Sequence, residues 1–568
     1  MAWHKAALPT LLASPNFNAM NQQTLPKPRL VQAVDTVVAA LNNSDQTGAI
    51  RLARVALDEG LVHPLFLNLR AFWLEGRGRL NDAVADLERA HTLAPDDVPV
   101  LNALGLALAK QFRPVEATKA FETVIALQPD FTPAYFNHGS ACEMWGEIDR
   151  AQQSYLEAVA RSAGQRDSAE PLSRLAFLAA RRGDAGEARV FAKNAIELTP
   201  NHPVARLALA RADILDGNLA AADVRIRELL AAPVLSAYDR YHAMGALGDL
   251  RHREGHFAEA FAAYDAGNTE WSRVATARHN YGKATSASGL GTLEWMYRAY
   301  ASHPPQPKPA RAVAPGSSRH VFLIGFIRSG TTLLEQVLAS HPEVMTMEEK
   351  EALGDSAALF LADEHGLQRL QALKPDERAF YAQKYWESAK EQGFDPAGAI
   401  FVDKQPFNVV KLPLIAALFP DAKILFAVRD PRDVLLSCFR QRFHLNTFTY
   451  ELLTVGGAAR FYDAYMTLAE RFRQVLPLDL HQIRHEDLVD DFEGEVSKVC
   501  DFLGIAWTDA MRDFAERRKV RAIATPSAAQ VAKGLNREGM GQWRNYAEQL
   551  APALPVLAPW VKHFGYQI

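Results

Sequence analysis

The run Gly325-Phe326-Ile327-Arg328-Ser329-Gly330-Thr331-Thr332 has the frame of a phosphate-binding loop, G-x-x-x-x-G, with threonine where such loops carry lysine. A short apolar run over 321–326 precedes it, and Leu333, Leu334, Val337 and Leu338 give 332–340 helical periodicity. Strand, loop and helix in that order gather backbone amides at a helix start around an anion. The missing lysine matters, because a nucleoside triphosphate needs an ammonium on its outer phosphates. Arg328, with the hydroxyls of Ser329, Thr331 and Thr332, suits a smaller anionic group and no metal-bridged triphosphate.

A second anion signature follows about a hundred residues later. Residues 423–437 read as a strand, then Arg429, then a helix carrying Ser437 eight positions on. An arginine fork at a strand end and a hydroxyl on the next helix converge on one phosphate. A surface Arg-Asp-Pro-Arg turn is the plain alternative, in which Arg432 pairs with Asp430 or Asp433. Lys404 follows a strand candidate at 399–402. Glu348, Glu349 and Glu351 form an acidic patch, either a solvated helix start or the home of a general base. His252 and His256 are separated by Gly255 at a turn, which speaks against a helical metal pair, and no H-E-x-x-H, G-x-S-x-G or G-x-G-x-x-G pattern occurs.

Together these blocks resemble the sulfotransferases that use 3′-phosphoadenosine-5′-phosphosulfate (PAPS), over 321–546 in scattered segments, and most of all the protein-tyrosine sulfotransferase branch. The resemblance implies that Arg328, Ser329, Gly330, Thr331 and Thr332 bind the 5′-phosphosulfate, and that Arg429 and Ser437 hold the 3′-phosphate. It implies Lys404 beside the transferring sulfuryl group and Glu349 as catalytic base, its pKa raised by burial, with Arg328 also assisting transfer. The segment 525–546 is similar to the stretch that closes over the nucleotide, which makes Ser527, Lys533 and Trp543 candidate cofactor contacts. The product would be adenosine 3′,5′-bisphosphate, and no metal is required. Three positions depart from the family pattern. Glu351 stands where an arginine follows the base, His485 replaces a tyrosine, and the lid serine falls nearest Ala528.

The elements that must position these residues are also legible. At 568 residues the chain exceeds one hydrophobic core. Ala49, Ala83, Ala117 and Ala151 recur every 34 residues, followed by Ala188, Ala222 and Ala260, and five of these alanines have a glycine five residues upstream. Such a period predicts helix–turn–helix units that stack because none buries its own apolar stripe. The pattern resembles a tetratricopeptide (TPR) array of about seven units over 30–280. Next come a connecting helix and a linker at 281–319, with five prolines between 302 and 319. Residues 320–568 alternate strands with helices. The expected fold is multidomain: an all-α TPR solenoid, then an α/β, P-loop-like sulfotransferase domain with a parallel sheet.

The net charge of −4 argues against a nucleic-acid binder. Three cysteines without disulfide or zinc spacing, no signal peptide and no apolar span point to a soluble, cytoplasmic protein. The array is expected to bind a protein or peptide. Four readings stand: sulfation of a protein or peptide tyrosine, sulfation of a glycan or small-molecule hydroxyl, an inactive TPR scaffold, and a degenerate P-loop kinase.

Overall fold

The computed structural model describes residues 27–111, 113–162, 164–279, 288–304, 319–396, 398–517 and 534–567. They fall into two compact units, 1–178 with 190–205, and 179–189 with 206–568. The division lies inside the repeat array, upstream of the proline-rich segment.

The first unit is built of helical hairpins: Lys27–Asn42 with Gln46–Asp58, Pro64–Glu75 with Leu80–Leu93, Val98–Lys110 with Pro114–Leu127, and Thr132–Met144 with Ile148–Ser162. The periodic residues do the work expected of them. All seven alanines of the series are fully buried, because a methyl group is what lets two helix backbones approach. Gly78, Gly146, Gly183, Gly217 and Gly255 all have φ between 75° and 89° in the turns between paired helices. A side chain at those angles would strain the backbone.

The second unit carries the later hairpins, Pro203–Leu215 (from residue 206 on) with Leu219–Leu230 and Ala237–Arg253 with Phe257–His279, and then the α/β region. The last hairpin is packed onto that region. Asn268, buried, donates its side-chain amide to the Phe439 carbonyl at 3.1 Å. Phe261 stacks on Phe439 at 4.9 Å, and His252 Nδ1 lies 2.8 Å from the Tyr546 hydroxyl.

Five parallel strands form the sheet: β1 (His320–Gly325), β2 (Val344–Glu348), β3 (Ile400–Lys404), β4 (Lys423–Val428) and β5 (Asp479–Arg484), in the order β2-β3-β1-β4-β5. Strand residues alternate between two cores. Phe322, Ile324, Phe401 and Phe426 face one. Val321, Leu323, Val402 and Leu425 join Leu334 and Val337 of the helix Thr331–Ala339 in the other. Each fully buried side chain of this size contributes about 1.5–3 kcal/mol, so the central strands are firmly fixed. The chain leaves β1 toward one edge of the sheet and β4 toward the other. In such sheets the ligand crevice opens at the carboxyl ends of the strands beside that reversal.

Between β3 and β4 the chain forms a 3₁₀ turn, Pro406–Lys411, followed by the short helix Leu412–Leu418. Pro413 at the helix start and Pro406 at the turn restrict where the α geometry can begin. His485 follows β5 directly and opens the helix His485–Asp490. The stretch 305–318 of the linker lies outside the described residues.

Candidate active site

The polar residues singled out by the sequence gather at the carboxyl ends of the strands. From β1 the chain enters the loop 326–330 and the helix Thr331–Ala339, which places the amides of 330–332 at a helix start. The loop needs unusual backbone: Gly330 has φ 92° and Arg328 has φ 70°. A Cβ on Gly330 would lie 2.6 Å from His485 Nδ1, so glycine is demanded there by both angle and space. Ser329, Thr331 and Thr332 are buried.

Because β4 is hydrogen-bonded to β1, Arg429 comes up beside this loop. Its Nη1 donates to the Arg328 carbonyl at 3.2 Å, and Nη2 donates to the Gly539 carbonyl. Arg328 Nε donates to Ser437 Oγ at 2.9 Å, so the two anion signatures meet. Packing around the Arg328 guanidinium, with the like charge of Arg429, pushes its pKa down. Burial with the same two cations pushes His485 down to about 3, leaving a neutral imidazole. Ser329 Oγ, Arg429 Nε and His485 Nδ1 are all buried with no hydrogen-bond partner. Unsatisfied donors beside two guanidiniums and a helix start suit an anion with several acceptor oxygens, which is what phosphate and sulfate esters offer.

β3 ends at Lys404, fully buried, with Nζ 2.8 Å from Glu349 Oε1 and 3.5 Å from both Glu335 Oε2 and Glu348 Oε1. Burial opposes its charge, but the three carboxylates outweigh that and raise its pKa. Glu349 sits just past β2 at φ 46°, its amide bonded to the Lys404 carbonyl at 2.8 Å. Among the described residues only Ser44, Arg328 and Glu349 are non-glycine residues with positive φ, and two of these are at this site. The burial expected for Glu349 is not found: its side chain is 39% exposed and ion-paired to Lys404. Nor is the acidic patch a helix start. Glu348 closes β2, and Glu351 bonds Lys411 in the turn after β3.

The other sequence candidates are placed as follows. Arg432 makes a two-pronged pair with Asp430 at 2.9 and 2.8 Å, which is the plain reading of that turn. Trp543 lies with its ring 4.0 Å from the Arg432 guanidinium, and its amide and that of Gly541 are held by Asp433 at 2.8 and 2.6 Å. Burial raises the Asp433 carboxyl to about 6, against the pull of Arg429. Ser527 and Lys533 lie outside the described residues. Among the described residues no group of side chains could hold a metal ion, no helix is long and apolar enough to cross a membrane, and the three cysteines are buried and form no disulfide.

Sequence reasoning missed Glu335, Tyr465 and the new role of His485. Tyr465 places its hydroxyl 2.8 Å from the carbonyls of both Gly325 and Pro406, tying the phosphate loop to the turn after Lys404. Nothing local in sequence signals that. Glu335 had one signal: a glutamate four residues after Thr331, in the apolar helix that starts at the loop.

A sequence model of the Sulfotransferase family matches residues 320–509. The protein-tyrosine sulfotransferase of Drosophila melanogaster is 28% identical over 258 residues, which cover 42% of this chain and 51% of that protein. Protein-tyrosine sulfotransferase A of Caenorhabditis elegans is 26% identical over 264 residues, 44% of this chain and 68% of that one. The chain thus spans about half the length of the Drosophila relative. A tetratricopeptide repeat protein from Parabacteroides merdae aligns with 43% of this chain and 93% of its own at 13% identity and a TM-score of 0.35. The five-stranded sheet and the sequence matches point the same way: residues 320–509 match the Sulfotransferase family model and are similar to the protein-tyrosine sulfotransferases, and an array of helical hairpins precedes them.

Proposed function

We propose that the chain transfers a sulfuryl group from PAPS to a tyrosine hydroxyl of a protein or peptide held by the repeat array, in the cytoplasm. The observation that carries this reading is the juxtaposition of two guanidiniums and unsatisfied buried donors with a lysine–glutamate pair at adjacent strand ends. PAPS, when bound, supplies an activated sulfuryl group on a phosphate leaving group.

The chain's own residues would do the rest. Arg328, Ser329, Gly330, Thr331 and Thr332 bind the 5′ side, and Arg429 with Ser437 the 3′-phosphate. Trp543 covers the adenosine. Lys404 supplies positive charge where the leaving oxygen gains negative charge, preorganised in a water-poor site. Glu349 accepts the hydroxyl proton. Its Oε1 is engaged by Lys404, which leaves Oε2 to take that proton. No step needs a metal. The similarity to protein-tyrosine sulfotransferases supports a tyrosine acceptor, and three buried cysteines without a disulfide fit a reducing compartment.

Calorimetric titration with adenosine 3′,5′-bisphosphate tests the donor. Wild type should bind it and ignore ATP with magnesium, while Arg429→Ala should lose at least a hundredfold, as expected for removing a buried charge-assisted contact of about 3 kcal/mol. Preference for ATP, or an unaffected Arg429→Ala, would refute the assignment. Peptide and glycan arrays incubated with labelled PAPS then decide the acceptor. Labelling confined to glycans would overturn the tyrosine reading.

A further inference from the structure

Lys404 has a carboxylate beneath it that the transfer itself does not use. Glu335 lies on the helix Thr331–Ala339, and its Oε2 is 3.5 Å from Lys404 Nζ. Glu348 Oε1 approaches at the same distance from the end of β2, and Glu349 Oε1 at 2.8 Å. Glu335 Oε2 and Glu348 Oε1 are both buried without a hydrogen-bond partner. One ammonium facing three carboxylates leaves two negative charges unbalanced, and a carboxylate in that position takes up a proton. Depth selects which one. The side-chain exposures are 2% for Glu335, 12% for Glu348 and 39% for Glu349. Burial raises the Glu335 pKa, opposed by Lys404, reinforced by Glu348 and Glu349, and eased by a hydrogen bond with Thr346.

We infer that Glu335 stores a proton in the resting site and positions Lys404, so that donor binding is coupled to protonation of Glu335. The inference rests on the assignment of Lys404 as the group that faces the sulfuryl. An anion arriving at the phosphate loop draws the ammonium toward itself and away from the carboxylates. If Glu335 were ionised, that movement would strand a buried charge. Protonated, it lets the ammonium move. The proton comes from solvent and returns there when product leaves. Donor binding therefore raises the Glu335 pKa, proton uptake appears at pH values above the resting pKa, and affinity falls there by up to about tenfold per pH unit.

Two measurements on the full chain test this. The first is the infrared carbonyl band of a neutral carboxylic acid in the unliganded protein, followed from neutral into alkaline pH. A component of that band should vanish in Glu335→Gln and persist in Glu348→Gln. Asp403, which burial raises to about 7, stands on the opposite sheet face and keeps its own component in both variants. The second is calorimetry of PAPS binding without acceptor, in two buffers of different ionisation enthalpy at alkaline pH. Wild type should take up close to one proton per site, and Glu335→Gln almost none. Donor phosphates, with a second pKa of about 6, are fully ionised in that range. His485, held down to about 3, cannot supply the uptake either.

Retention of the full band in Glu335→Gln, or binding by wild type without proton uptake, would overturn the inference. Should Glu335→Gln fold poorly, the wild-type uptake and the Glu348→Gln spectrum still decide it. If wild type fails to bind PAPS at all, the donor assignment falls, and the infrared comparison alone judges whether Glu335 holds the proton.

Discussion

Lys404 is the residue on which the charge balance of the site turns, and its removal should show this in stability as well as activity. Lys404→Met keeps the volume and deletes the ammonium, leaving buried carboxylates without their cation. Breaking a buried pair in this way costs about 3–5 kcal/mol. The sign of its pH dependence follows from Glu335, whose folded-state pKa is already raised by burial. Without Lys404 it rises further, so the folded state binds more protons than the unfolded one and stability falls as pH climbs. Urea denaturation of Lys404→Met should therefore give a deficit that is nearly constant while wild-type Glu335 is still protonated and grows above its raised resting pKa, where the wild type releases that proton and the variant keeps it. A deficit independent of pH would mean that the lysine contributes only packing. At this scale the sequence was informative wherever a motif named a residue, as for Arg328, Lys404, Arg429 and Ser437. It could not reveal Glu335 or Tyr465, whose roles depend on neighbours about 70 and 140 residues away.

Each strand end is an element-level device, and the phosphate loop shows how little slack it has. Gly330→Ala would force a side chain onto a left-handed backbone, at about 1–2 kcal/mol, and into His485. The expected result is a folded protein with adenosine 3′,5′-bisphosphate binding weakened at least tenfold. Unchanged affinity would show that the loop can shift away from His485. The elements were unequally readable. β1 and β4 are apolar runs buried along almost their whole length, so composition alone announces them. β2 and β5 are the sheet's edges and only partly buried; β2, carrying Thr346 and Glu348, has a sequence that looks like loop. The helical hairpins were clear for the opposite reason. A small residue needed at every close approach and a glycine in almost every turn repeat themselves, whereas a strand that pairs across the sheet leaves no local period.

In the whole molecule, the second compact unit begins well before the α/β region. Asn268, Phe261 and His252 of the last hairpin meet Phe439 and Tyr546, both fully buried. Phe439 lies on the helix Pro431–Arg440, which also carries Ser437. A fragment of 319–568 would uncover that apolar surface and should aggregate or melt early, while one of 169–568 should stay monodisperse and bind adenosine 3′,5′-bisphosphate like the full chain. Gel filtration with the same titration separates the two, and equal behaviour of both fragments would show the hairpin to be dispensable. The packing of this hairpin also bears on how such a chain can be inherited. Repeat arrays are readily lengthened, shortened or traded by recombination, but a crossover in the proline-rich segment would part the catalytic half from helices it is packed against. Viable shuffling is confined to breakpoints further upstream, so the last repeats should descend together with the sulfotransferase domain while the earlier ones are free to turn over.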